Sequence, residues 1–81
     1  MQVKISKQAE KFYLSQDSVT RQRLKRGLAG LEHEPPVGDI VSVQGIHDTF
    51  RLRVGNFRIL FKKESDSIAV TKIHNRGQAY K

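Results

Sequence analysis

Phe50-Arg51-Leu52-Arg53-Val54-Gly55-Asn56-Phe57-Arg58-Ile59-Leu60-Phe61 is the stretch that decides the fold. Apolar and polar residues alternate on both sides of Gly55-Asn56, which is the period of a half-buried strand. A Gly-Asn pair between two such segments signals a tight antiparallel hairpin. Phe50, Leu52, Val54, Phe57, Ile59 and Phe61 then share one apolar face. With Gly55-Asn56 as a two-residue loop, Val54 pairs with Phe57 and Arg53 falls directly opposite Arg58. Like charges facing each other across an antiparallel pair destabilise it, so this register predicts that something anionic lies across that face.

Upstream of the hairpin, Val3 and Ile5 alternate with polar neighbours and predict a short first strand. Ser6 is placed to cap a helix whose apolar stripe is Ala9, Phe12 and Tyr13. Ser15-Gln16-Asp17-Ser18 breaks that helix and offers a fresh cap. A second helix is expected to run to about His33, with Leu24, Leu28 and Leu31 at i, i+4 and i+7 and with Arg21, Arg23, Lys25 and Arg26 on its other face. Gly27 and Gly30 weaken this helix by up to about 1 kcal/mol each relative to Ala, and they suit close packing against a sheet. Pro35-Pro36 is expected to end it, because neither residue donates a backbone hydrogen bond.

Residues 40–43 read as a second strand, Gln44-Gly45 as a turn, and the hairpin as strands three and four. A polar turn over 63–67 leads to a last strand over 68–73. Its faces are ambiguous, since Ile68 and Val70 point one way and Ala69, Thr71 and Ile73 the other. A basic tail, residues 74–81, follows. Phe12, Phe50, Phe57 and Phe61 sit on apolar faces and read as core. The order of elements implies an α+β fold: a short N-terminal strand, then two helices packed on one face of a mainly antiparallel four- to five-stranded sheet. Residues 1–81 are expected to form a single domain whose other sheet face and tail make a groove.

Fifteen Lys and Arg against eight Asp and Glu give a formal charge of +7 on 81 residues. So much positive charge on a short chain attracts polyanions, with nucleic acid first among them. With no cysteine, disulfides and thiolate metal sites are excluded. The carboxylates are scattered, and His33 and His47 have no partners at ligand spacing, so neither metal nor cofactor is expected. No apolar stretch is long enough to span a bilayer. Met1-Gln2-Val3-Lys4-Ile5 lacks the apolar core of a signal peptide. A cytoplasmic chain with no membrane partner is the expectation.

The arrangement Pro36-x-Gly38-Asp39, then Phe50-Arg51-Leu52-Arg53-Val54-Gly55-Asn56-Phe57-Arg58, then Ile73-His74-Asn75-Arg76 and Tyr80, resembles the RelE/ParE toxin superfamily of type II toxin–antitoxin modules. The resemblance covers nearly the whole chain. In the RelE branch the toxin enters the ribosomal A site and cuts the mRNA there; in the ParE branch a similar fold inhibits DNA gyrase and cuts nothing. The RelE pattern has basic residues on strand three, an Arg on strand four, and an Arg and a Tyr near the end. Carried onto this sequence, it implies Arg51 and Arg53, then Arg58, Arg76 and Tyr80. Arg53 stands where Lys is common, and His74-Asn75-Arg76 stands where Gly-His-Arg is usual.

Cutting RNA through its own 2′-hydroxyl requires in-line geometry and removal of the hydroxyl proton. It also requires stabilisation of a dianionic phosphorane and protonation of the departing 5′-oxygen. On the resemblance, Arg58 and Arg76 would grip the scissile phosphate through planar multi-donor forks. Arg53 would raise the local potential, and Tyr80 would stack on a base, orient the sugar or exchange a proton. His74 is the group whose ordinary pKa suits acid–base work near neutrality. Arg51, with Arg21, Arg23, Lys25 and Arg26 on the second helix, would add RNA and ribosome phosphate contacts.

These residues point to a ribosome-dependent, metal-independent mRNA endonuclease of the RelE type. A cognate antitoxin, acidic where it meets the basic face, would hold it inactive in a hetero-oligomer and relieve the Arg53–Arg58 repulsion. Two rival readings use the same residues: a ParE-like gyrase inhibitor without nuclease activity, and a non-catalytic basic RNA-binding module.

Overall fold

Hairpin register is the feature from which the rest of the sheet is built. In the computed structural model, which describes residues 1–75, Val54 pairs with Phe57, Arg53 with Arg58, Leu52 with Ile59 and Phe50 with Phe61. Gly55 adopts φ 57°, matching the primed hairpin turn that takes glycine at its first central position. The Phe50 and Phe61 rings stack across the ladder, with centroids 5.6 Å apart.

The elements follow in the order β1 (Gln2–Ile5), α1 (Lys7–Leu14), α2 (Ser18–Gly30), β2 (Asp39–Ser42), β3 (Thr49–Val54), β4 (Phe57–Lys63) and β5 (Ser67–Asn75). One five-stranded sheet results, ordered β1-β5-β4-β3-β2. β1 runs parallel to β5, and the other pairs are antiparallel. The α+β architecture anticipated from the sequence is therefore the observed one.

Both helices start on the expected caps. Ser6 Oγ accepts the Ala9 N–H at 3.2 Å, and Asp17 Oδ1 accepts the Thr20 N–H at 2.8 Å. Hydrogen bonding from the Thr20 side chain, and then from its backbone N–H, holds the Asp17 carboxyl below its ordinary pKa. Ala9 of α1 and Leu24 of α2, with Leu31 just beyond α2, are buried against Leu52, Ile59, Phe61, Ile68, Val70 and Ile73 of the sheet. Phe12 meets Phe57 edge to face, with centroids 5.8 Å apart. Both helices thus cover the Leu52–Ile59 face and leave the Arg53–Arg58 face open, in the sense that no described helix packs on it.

Three boundaries differ from the sequence reading. α2 ends at Gly30, before the prolines; the Gly30 carbonyl accepts the Val37 N–H at 2.9 Å, and tightened turns carry the chain through His33. β2 is Asp39–Ser42, one residue earlier than expected, which sets Asp39 opposite Arg53. β5 extends to Asn75, so His74 belongs to the sheet and not to a tail.

The ambiguous faces of the last strand have a simple cause. Phe61 pairs with Val70 and Leu60 with Lys72, so Thr71 is an extra residue, a β-bulge. The bulge reverses the alternation. Ile68 and Val70 face the helices before it, and Ile73 does so after it; all three are buried.

Gly27 explains how α2 comes so close to the hairpin. A Cβ at this position would stand 2.6 Å from Val54 Cγ2, well inside contact distance. Gly27→Ala gains up to about 1 kcal/mol of helix propensity, but overpacking of this kind costs about 1–3 kcal/mol. Urea denaturation is therefore expected to show Gly27→Ala destabilised by about 1 kcal/mol. In a Val54→Ala background, which removes the obstructing methyl, the same substitution should become neutral or stabilising.

Candidate functional site

Paired residues on neighbouring strands point the same way, so register alone lays out the open face. One rung runs Asp39–Arg53–Arg58–His74 across β2, β3, β4 and β5. The next runs Val41–Arg51–Leu60–Lys72, and beyond it Lys62, Ala69 and Lys4 continue the face toward β1. Among the described strand residues of this face, Asp39 is the one acid. Strands lie about 4.8 Å apart, so Arg53, Arg58 and His74 follow one another across three adjacent strands.

The two arginines have different surroundings. Arg53 is half-exposed, and its Nε and Nη2 both donate to Asp39 Oδ2, at 2.9 and 2.8 Å. This corrects the sequence expectation of an unrelieved Arg53–Arg58 repulsion: an intramolecular carboxylate already offsets part of it. An ion pair so exposed contributes at most about 1 kcal/mol. It also uses only two of the five guanidinium donors, so the fork retains capacity for an anion. Arg58 is 7% exposed. A permanent charge stays buried only where it is engaged, and Arg51 and Arg58 are both engaged. Arg58 is accordingly the more deeply buried of the pair.

His74 reaches this rung because of the Thr71 bulge. Had β5 kept strict alternation after Val70, Lys72 and His74 would face the helices. The extra residue turns both onto the open face and sets His74 opposite Arg58. Burial, and then the nearby Lys72 charge, hold the His74 imidazole below its ordinary pKa of 6.5. Near neutrality the ring is therefore mostly neutral, the form that accepts a proton.

The remaining sequence-predicted residues fall in two groups. Arg21, Arg23, Lys25 and Arg26 lie on α2, on the opposite side of the sheet, and do not join this site. Arg21 Nη1 donates to the Gln16 carbonyl at 2.6 Å. Lys25 borders a largely apolar groove of about 650 Å³ between the helices and β1, lined by Val3, Tyr13, Leu28 and Ile73 among others. Arg76 and Tyr80 lie outside the described residues. Sequence reasoning missed Asp39, Lys62, Lys72 and Lys4 as members of the open face. Strand pairing signals Asp39 once β2 is moved by one residue; Lys72 required the bulge. Among the described residues no three His, Asp or Glu side chains gather where they would hold a metal ion.

No protein-family model and no curated protein matches this sequence, whereas solved structures match over most of its length. RelE in the archaeal RelE–RelB complex of Pyrococcus horikoshii OT3 superimposes with a TM-score of 0.80 at 27% identity, covering 95% of this chain and 96% of that one. For the RelB–RelE complex of Methanococcus jannaschii the values are 0.78, 24%, 95% and 94%. The isolated RelE toxin of Escherichia coli gives 0.77 at 16% identity, with 98% and 89% covered.

Titration of His74 checks the electrostatics of the rung. Followed by NMR, its midpoint should fall below 6.5, and Lys72→Gln should raise it only partway, because burial is the larger cause. The sign for stability follows: with the folded value lowered, the unfolded chain binds the proton more readily. The His74 contribution is complete above pH 6.5 and declines as pH falls from there toward the folded midpoint. A midpoint at or above 6.5 would contradict this placement.

Proposed function

We propose that this chain, whose fold is that of the RelE-like toxins, is the toxin of a type II toxin–antitoxin module, a ribosome-dependent endoribonuclease that cuts mRNA in the A site and stops translation. The observation that carries the reading is the rung Arg53–Arg58–His74 on the sheet face that α1 and α2 do not pack against. Two guanidinium groups and a neutral imidazole on adjacent strands make a set suited to a phosphodiester and its neighbouring 2′-hydroxyl.

In the proposed reaction the 2′-hydroxyl proton passes to His74 as O2′ attacks the adjacent phosphorus. The phosphorane that forms carries two negative charges. Arg58, fixed by burial, and Arg53, braced by Asp39, supply donors aimed at them. Stabilisation of charge that develops only in the transition state is commonly the largest single catalytic effect. The P–O5′ bond then breaks, leaving a 2′,3′-cyclic phosphate and a 5′-oxygen that takes up a proton. Tyr80 is the proposed source of that proton and Arg76 a further phosphate ligand, both on the strength of the family resemblance. Arg51 and the α2 cations would contact ribosomal RNA, adding salt-sensitive affinity without choosing sequence.

A cognate antitoxin is the second element of the proposal, since the Pyrococcus and Methanococcus relatives were each solved in complex with RelB. A partner acidic at its contact would neutralise the open face as Asp39 does locally. Among the described residues no helix is long and apolar enough to cross a membrane, and a cytoplasmic site of action in a bacterial or archaeal cell accords with the ribosomal target.

Induction of the chain in cells lacking the antitoxin, with mapping of new mRNA 5′ ends on translating ribosomes, tests this reading. Cuts should cluster at the A-site codon and fall about 10²–10³-fold in Arg58→Ala. Because Arg58 is buried, the exposed variant Arg53→Ala guards against simple misfolding and should also cut markedly less. Growth arrest with intact mRNA would overturn the nuclease reading in favour of a gyrase inhibitor. Absence of arrest, with RNA binding retained, would favour a non-catalytic module.

A further inference from the structure

β5 outlives its neighbour. β1 pairs with it only from Ser67 to Val70; the Ser6 N–H then donates to the Val70 carbonyl at 2.9 Å, and the chain turns away into α1. β5 continues to Asn75, and among the described residues no strand accompanies it on that side. Side chains from the start of α1 take over. Ser6 Oγ donates to the Thr71 carbonyl at 2.7 Å. Gln8 Nε2 donates to the Ile73 carbonyl at 3.3 Å, while Gln8 Oε1 accepts the Ile73 N–H at 3.1 Å.

We infer that Gln8 is a positioning residue for the site on the opposite face, its carboxamide standing in for the missing β1 rung and fixing the end of β5 that presents His74 to Arg58. The inference rests on the cleavage reading above. A double exchange with one residue's N–H and C=O is what a strand partner provides. Only a primary carboxamide offers one donor and one strong acceptor side by side at this reach: ionised glutamate lacks the donor, and methionine has no donor and only a weakly accepting sulfur. The clamp is anchored, because α1 is held to the core by buried Ala9 and by the Phe12–Phe57 contact.

Why this stretch needs a clamp follows from the bulge. Thr71 is the irregular point of β5, and Thr71 Oγ1 donates across to the Leu60 carbonyl at 3.2 Å. A slip of one residue past that point would turn His74 toward the helices and bring Ile73 onto the open face. Gln8 grips Ile73, the residue next to His74, on the side where β4 does not. Small displacements of a reacting group cost rate steeply, about 10²-fold for 1 Å.

Gln8→Met, similar in length but without the hydrogen bonds, tests the clamp, with Gln8→Glu retaining only the acceptor. In Gln8→Met, hydrogen exchange at the Ile73 amide should quicken about fivefold, the loss of one ordinary hydrogen bond, while the Leu52 and Ile59 amides stay protected. Single-turnover cleavage on mRNA-programmed ribosomes should fall about 10²-fold with ribosome affinity unchanged, and Gln8→Glu should fall between. A wild-type cleavage rate in Gln8→Met, or loss of rate and affinity in parallel, would overturn the positioning role. Should the parent chain not cut mRNA, the functional reading fails by itself; unaltered Ile73 exchange in Gln8→Met would then independently overturn the clamp.

Discussion

A two-residue turn leaves a hairpin almost no freedom of register, and the Gly55-Asn56 turn imposes that constraint here. Once Val54 faces Phe57, parity sends Phe50, Leu52, Ile59 and Phe61 to one side of the sheet and Arg51, Arg53 and Arg58 to the other. Burying the first set under α1 and α2 obliges the second set to face outward together. The concentration of cations on the open face is thus a consequence of how the core is formed. Displacing the register by one residue would exchange the two faces, so selection for the core also preserves the arginine rung.

Around that hairpin, the structure reconciles charge with stability by local means. Asp39 meets Arg53 through a single carboxylate oxygen, which lessens the repulsion within the rung without filling it. Arg58 is buried and engaged. His74 is kept largely neutral by burial and Lys72. In the proposed reaction, guanidinium donors beside a neutral base are a combination suited to phosphoryl chemistry. They require little rearrangement when charge develops.

Much of this was legible in the sequence because it depends on short-range rules. The turn, the cap at Ser6, a second cap within Ser15-Gln16-Asp17-Ser18 (it is Asp17), and the periodicity of Leu24, Leu28 and Leu31 are local, and each was found where expected. Arg53 facing Arg58 followed directly from loop length. The misreadings were non-local. α2 stops at Gly30, three residues short of His33, where the Gly30 carbonyl accepts the Val37 N–H across the loop. The faces of β5 could not be decided from alternation, since one unpaired residue, Thr71, inverts them. With that inversion hidden, the alignment of His74 with Arg58 and the membership of Lys72 were hidden too. The α2 cations read as possible RNA contacts, yet the sheet separates them from the rung.

The most direct test of the central claim concerns the attacking group. Purified chain would be mixed with ribosomes carrying an mRNA whose nucleotide 5′ to the cleavage position is either ribo or 2′-deoxy. The account predicts cleavage of the all-ribo message to a 2′,3′-cyclic phosphate, and none of the 2′-deoxy message despite equal binding of the toxin to the ribosome. Equal cleavage of both messages would contradict it, because the nucleophile would then not be the 2′-hydroxyl that the Arg53–Arg58–His74 rung is proposed to activate.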